Sequence, residues 1–183
     1  MSLKTRFGNL GNILDFDKLT KDNIYVLESP ILSNSQFVKF TNFFGKNSKI
    51  IDCTFAKHQT LKECLDNILI QSEVAVRQGA TQLILTDQKI SDEIMAIPMP
   101  LCVGAINKHL IKNKLRGYVS INAQTGDVLD THSFAILLGL GATTINPYLT
   151  LDSIYQRYEK KLFVKLSYDE CIQRYIKSIN TAI

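Results

Sequence analysis

Residues 60–87 read TLKECLDNILIQSEVAVRQGATQLILTD, and this stretch decides the fold. Thr60 and Glu63 have the spacing of a capping box, which predicts that a helix begins beside them. Leu61, Cys64, Leu65, Ile68, Ser72, Ala75 and Val76 then recur at intervals of three and four and draw one apolar stripe along that helix. Gly79 is placed to end it in the left-handed conformation. The run Gln82-Leu83-Ile84-Leu85 that follows is nearly continuous in its apolar character, as expected of a strand covered on both faces, and it closes on the polar pair Thr86-Asp87. A helix feeding such a strand is part of a β/α repeat.

The same alternation extends in both directions. Upstream, Lys49 through Cys53 reads as a strand. Downstream, after the loop at Pro98 and Pro100, the pattern gives a helix over Leu101 to Asn113, a strand over Tyr118 to Asn122, a helix from His132 to Leu140 and a short strand, Thr143-Thr144-Ile145, before Asn146-Pro147. Gly79-Ala80 and Gly141-Ala142 mark two equivalent helix-to-strand junctions. The C-terminal stretch predicts two more helices, the second opened by a capping box at Ser167 and Glu170 and striped by Ile172, Tyr175, Ile176 and Ile179. The fold class expected is α/β, with repeated β/α units, a mainly parallel sheet and a partial TIM-barrel-like form. One domain, 1–183, is expected, made of an irregular lead-in with a short helix (1–45), a β/α core (46–150) and C-terminal helices (151–183).

Composition narrows the function classes. With 45% hydrophobic and 21% charged residues in 183, the chain suits one globular domain. Its net charge of +4 is spread among interleaved acids, with no basic stripe of the kind that binds nucleic acid. The longest apolar runs, such as Phe134 to Ala142, fall short of the roughly 20 residues a membrane helix needs, and the N-terminus has no signal-peptide pattern. A cytoplasmic location is expected, with no nucleic acid and no membrane among the partners. Cys53, Cys64, Cys102 and Cys171 lack metal-ligand spacing and read as reduced core thiols.

No reaction centre assembles from the residues alone. Gly139-Leu140-Gly141-Ala142 follows a helix, so it reads as a helix C-cap rather than a phosphate turn, which would precede one. His58, His109 and His132 are not spaced as ligands on one helical face and read as structural or solvated. Asp87 sits at a predicted strand end, where β/α barrels place their chemistry; with no convergent partner in sight it reads as a loop brace or cap. There is no GxSxG turn. No catalytic, cofactor-binding or metal residue is assigned.

Several strings resemble the central domain of the glutamate synthase large subunit, in order over nearly the whole chain. Met1 to Thr5 followed by Gly8 resembles that family's VMSL segment, which suggests that Met1 corresponds to an internal methionine or an introduced start. LESPIL (Leu27 to Leu32) resembles its LESPIL/V string, and Ile51 to Phe55 resembles its strand ending in Thr-Phe. AVRQGATQLILTD (Ala75 to Asp87) is similar to its helix end and strand, departing from the family's Ser-Asp-Arg at Thr86 and Gln88. IPMPLCVGAINKHLI (Ile97 to Ile111) and THSFAILLGLGATTINPYL (Thr131 to Leu149) resemble its IP-x-LL-x-VGAVHHHLI and VHHFALL-x-GYGA-x-x-VNPYLA. Asn107, Lys108 and Ser133 replace histidines of the family's clusters, leaving His109 and His132.

The resemblance implies a fragment covering the C-terminal part of the central domain, inactive alone, of an oxidoreductase that makes glutamate from glutamine and 2-oxoglutarate. It implies as partners the amidotransferase and FMN domains of the same polypeptide, with FMN and an iron–sulfur cluster held elsewhere in the parent and no cofactor here. The family's flavin-domain string KGLLKVMSKMGIS is expected just beyond Ile183. As a scaffold, the domain would help line an ammonia tunnel, for which Ser29, Pro30, Ile31 and Thr54 are the candidates, since small or apolar side chains and a hydroxyl suit neutral ammonia. Two other readings stand beside this one: a stand-alone β/α domain binding flavin or a phosphorylated ligand near Asp87 and Gly139, and an interaction module with an exposed apolar face.

Overall fold

Thr60 does what its spacing with Glu63 predicts. In a computed structural model that describes residues 3–8, 24–163 and 165–183, its hydroxyl accepts from the Glu63 N–H while its own N–H donates to the Glu63 carboxylate at 3.2 Å. The helix that follows buries Cys64, Ile68, Ser72, Ala75 and Val76 along the expected stripe. Leu61, in the first turn, stays exposed. Met1 and Ser2 of the MSLKT string lie outside the described residues.

In chain order the elements are β1 (Thr5–Phe7), β2 (Tyr25–Leu27), α1 (Asn34–Phe44), β3 (Ser48–Asp52), β4 (Thr54–Ala56), α2 (Leu61–Arg77), β5 (Gln82–Thr86) and β6 (Ile94–Ala96). They continue with α3 (Met99–Lys112), β7 (Ser120–Gln124), α4 (Thr131–Leu140), β8 (Thr144–Asn146), α5 (Tyr148–Glu159) and α6 (Tyr168–Ala182). The strand expected from Tyr118 begins two residues later because a single 3-10 turn, Arg116–Tyr118, takes its start. The sequence pattern does not reveal β4 and β6, a three-residue antiparallel ribbon held by mutual pairing.

The chain divides into two compact units, Met1–Pro30 and Ile31–Ile183. Within the first, β1 and β2 pair antiparallel, with Thr5 opposite Leu27, and Lys4 forms an ion pair with Glu28 at 2.7 Å.

The second unit is α/β, with alternating β/α units on a four-stranded parallel sheet in the order β3-β5-β7-β8. Side chains alternate across this sheet. One face carries Ile51, Leu83, Leu85, Ile121, Ala123 and Ile145 into an apolar core shared with Ile68 of α2, Val103 and Ile106 of α3 and Phe134 and Leu137 of α4. Each fully buried leucine or isoleucine there contributes about 1.5–3 kcal/mol. The opposite face is more polar: buried Asn122 donates to the Gln82 side chain at 3.0 Å and accepts from the Thr144 hydroxyl at 2.8 Å, tying three strands together.

Among the described residues the sheet is an open arc, which makes the barrel likeness partial. Ile31 bridges in parallel to Ile145, and the Leu32 N–H donates to the Ile145 carbonyl at 2.9 Å. The chain therefore enters α1 beside β8 and leaves it for β3 at the other edge. A helix of 11 residues is about 16 Å long, and α1 makes that crossing with Phe37, Phe40 and Phe44 buried on one side. In a simple barrel, consecutive strands are neighbours; here this crossover breaks the order.

Candidate functional site at the carboxyl ends of the strands

The register sets Asp52, Thr86, Gln124 and Asn146 side by side at the carboxyl ends of the four strands. One residue further along β5 comes Asp87, only 1% exposed. Its carboxylate accepts from the Thr125 hydroxyl at 2.6 Å and from the Gly126 N–H at 3.1 Å. Burial pushes its pKa up; hydrogen bonding to Thr125, Tyr148 and the Gly126 N–H pulls the other way without cancelling the rise. The local logic is legible in the chain: β5 is apolar until it leaves the sheet, and its first charged residue then needs donors, which the turn after β7 supplies.

The surrounding polar groups are engaged in the same manner. Asp127 accepts from the Met99 N–H at 2.9 Å, giving α3 the N-terminal cap that Pro98 cannot provide. Asn146 donates to the Leu32 carbonyl and the Asn34 side chain at 3.0 and 2.9 Å. Asp52 meets the Lys89 ammonium at 2.8 Å and the Thr54 hydroxyl at 2.7 Å; burial raises its pKa, but these partners outweigh it and hold the carboxyl below its usual range. Among the described residues every buried side-chain nitrogen or oxygen has a hydrogen-bond partner. In this cluster Asp87 braces the turn after β7 through Thr125 and Gly126.

Of the tunnel candidates, Ser29 is half-buried and Pro30 buried, both in the first unit. Ile31 and Thr54 belong to the second. Ile31, 1% exposed, stands beside β8, whereas Thr54 follows β3, so the two occupy opposite edges of the sheet. Thr54 also spends its hydroxyl on Asp52.

Asp87 and Gly139 do not converge either: Asp87 lies at the carboxyl ends of the strands, and Gly139, near the end of α4, lies at the amino ends. A single ligand pocket anchored by both is therefore ruled out. Gly141 closes α4 at φ +114°, the C-cap read from the sequence.

His109 is bound to Glu73 at 2.7 Å, while His58 and His132 are exposed. Two of the positions where this chain lacks the family's histidines have structural work instead. Asn107 accepts from Arg116 Nε at 2.7 Å, and Ser133 donates its N–H and hydroxyl to the N-cap Asp130 at 2.9 and 2.6 Å.

All four cysteines are free and buried. The neighbouring Cys102 thiol and burial push the Cys53 thiol far above its ordinary value, so it stays protonated. Among the described residues no group of three or more His, Cys, Asp or Glu side chains is placed to hold a metal. No helix of the described residues is long and apolar enough to cross a membrane.

Residues 1–183 match the family described as the glutamate synthase central domain. The chain is 41% identical over 186 residues to the large chain of NADPH-type glutamate synthase from Azospirillum brasilense, a match covering 100% of this chain and 12% of that protein. It is 36% identical over 159 residues to the corresponding chain of Bacillus subtilis, covering 86% of this chain and 10% of the relative. A ferredoxin-dependent chloroplastic glutamate synthase of Spinacia oleracea is 34% identical over 162 residues, with 85% and 10% covered. The chain thus spans about a tenth of the length of these relatives.

Proposed function

This chain belongs to the glutamate synthase central-domain family, and from that premise we propose that it is a scaffold segment of a glutamate synthase large chain. In this reading it spaces an amidotransferase domain, which releases ammonia from glutamine, from an FMN domain, which adds it reductively to 2-oxoglutarate. FMN and the iron–sulfur cluster belong to other parts of that polypeptide, in the cytoplasm. The observation that carries the reading is the end-to-end family match on a sheet whose carboxyl-end polar groups are all turned to bracing. Loops braced in this way suit a spacer between two reaction centres.

The finer part of the proposal is that Ser29, Pro30, Ile31 and Thr54 help wall the ammonia path. Water in such a path would protonate ammonia and remove its nucleophilic lone pair, so an apolar wall protects the second reaction. The test uses the full-length large chain carrying Ile31→Trp or Thr54→Trp. Glutamine hydrolysis should continue while glutamate formation per glutamine consumed falls and free ammonia accumulates. Unchanged coupling in both variants removes these two residues from the wall. Glutaminase or 2-oxoglutarate-dependent oxidase turnover by residues 1–183 alone would overturn the scaffold reading itself.

A further inference from the structure

Among the described residues strand β3 is an unpaired edge of the parallel sheet, and its backbone phase shows which groups are on offer. The Thr81 N–H donates to the Asn47 carbonyl at 2.8 Å, and the Cys53 N–H donates to the Thr86 carbonyl at 2.8 Å. The odd-numbered residues of this stretch therefore turn their backbone groups toward β5. The even-numbered Ile50 and Asp52 turn theirs outward, away from β5, the one strand that pairs with β3 among the described residues.

The side chains show the same boundary. Ile50 and Ile84 are register partners on one face of the sheet, yet Ile84 is 2% exposed and Ile50 63%. Cover on that face ends within one strand spacing, about 4.8 Å. Lys49 and the Asp52–Lys89 pair put charge along this edge, as sheet edges usually do, yet the mid-strand side chain on the more polar face is an isoleucine open to water beside backbone groups that have no strand partner among the described residues. Strands of parallel sheets are ordinarily buried.

We propose that the β3 edge is a strand-docking surface whose occupant is an extended segment of the same polypeptide, outside residues 1–183. Such a segment bonds to the N–H and C=O groups of Ile50 and sets an apolar side chain against Ile50 on the more polar sheet face. An intrachain occupant is favoured over a second copy because most of the length of the matching relatives lies outside this chain. The inference rests on family membership and not on the ammonia path, so it survives loss of the tunnel reading.

The experiment places the photo-crosslinker p-benzoylphenylalanine at position 50 of the full-length large chain, with hydrogen exchange followed on the unmodified chain. The expected result is a cross-link within one chain to a peptide beyond residues 1–183. The Ile50 amide should exchange slower than the exposed loop amides near Gln88 by roughly a hundredfold. A cross-link to a second copy overturns the proposal, and so does an Ile50 amide exchanging at the loop rate. An Ile50→Lys variant sharpens the outcome: with a docked strand it loses protection at Ile50 and Asp52 while the β5 amides stay slow, and with a free edge it changes neither.

Discussion

The two ends of the sheet are each held by one charged side chain, and they use it differently. At the carboxyl ends Asp87, nearly inaccessible, gathers the turn after β7 through Thr125 and Gly126. At the amino ends half-buried Arg116 spreads over three partners, the Asn107 side chain at 2.7 Å, the Val119 carbonyl at 2.6 Å and the Gly141 carbonyl at 2.9 Å. In β/α folds the carboxyl ends are where chemistry is sought. Here the buried polar side chains of the described residues are hydrogen-bonded at both ends; both are clamps, and the difference lies in burial.

Burial makes the Asp87 clamp the costlier one to break. Asp87→Ala leaves the Gly126 N–H and Thr125 hydroxyl without their acceptor, and the expected loss is about 3 kcal/mol, measured by denaturant unfolding. The pH dependence separates charge from hydrogen bonding. The folded-state pKa is raised above the ordinary 3.8, so the native chain holds this proton more tightly than the unfolded one, and stability from this group falls as pH rises through that window. Asp87→Asn removes the term, so its destabilisation should be smaller near about pH 7 than near about pH 4. An equal penalty at both would show that Asp87 is not paying for burial.

Arg116 should matter less, since water reaches part of it. Arg116→Met keeps the stem and deletes all three donations, with an expected cost of about 2 kcal/mol. The junctions beside the clamp give a graded pair. Gly79 and Gly141 both sit at positive φ, but a methyl on Gly79 meets nothing within 4 Å, whereas one on Gly141 comes within 2.6 Å of the Asn107 side chain. Gly79→Ala should cost about 1 kcal/mol, the backbone term alone, and Gly141→Ala about 1 kcal/mol more for the crowded Asn107. If the two variants melt together, the amino-end clamp is looser than its contacts indicate.

These contrasts mark what the sequence could disclose. Capping boxes at Thr60 and Ser167, the stripe through Ile68 and Val76, the β5 run and the glycine at the end of α4 are all local signals, written within a few residues of where they act. Thr125 is 38 residues from Asp87, and Gly141 is 25 from Arg116. No spacing rule announces such partners, so Asp87 could be read as a brace without revealing what it braces. The β4–β6 ribbon hid for a related reason: three-residue strands have no periodicity of their own and exist because they find each other. The crossover that carries α1 from one sheet edge to the other also leaves no trace in local pattern. Family resemblance supplied the context that composition could not, yet the substituted positions Asn107 and Ser133 acquired meaning only through contacts.

The weakest link tested lies between the ends, in the helix layer. Glu73 of α2 reaches Arg77 on its own helix at 2.8 Å and His109 of α3 at 2.7 Å, with the Asn113 amide donating at 3.2 Å. Hydrogen bonds from Arg77 and then His109 hold its carboxyl below the ordinary 4.5. A depressed folded-state pKa contributes stability above the unfolded value, and that contribution is lost as pH falls through the folded value. Glu73→Gln should therefore leave the melting temperature near neutral pH almost unchanged and flatten the acid limb of the stability curve below about pH 4.5. A steep loss at neutral pH would instead make this contact between α2 and α3 a third clamp, as important as those at the two ends of the sheet.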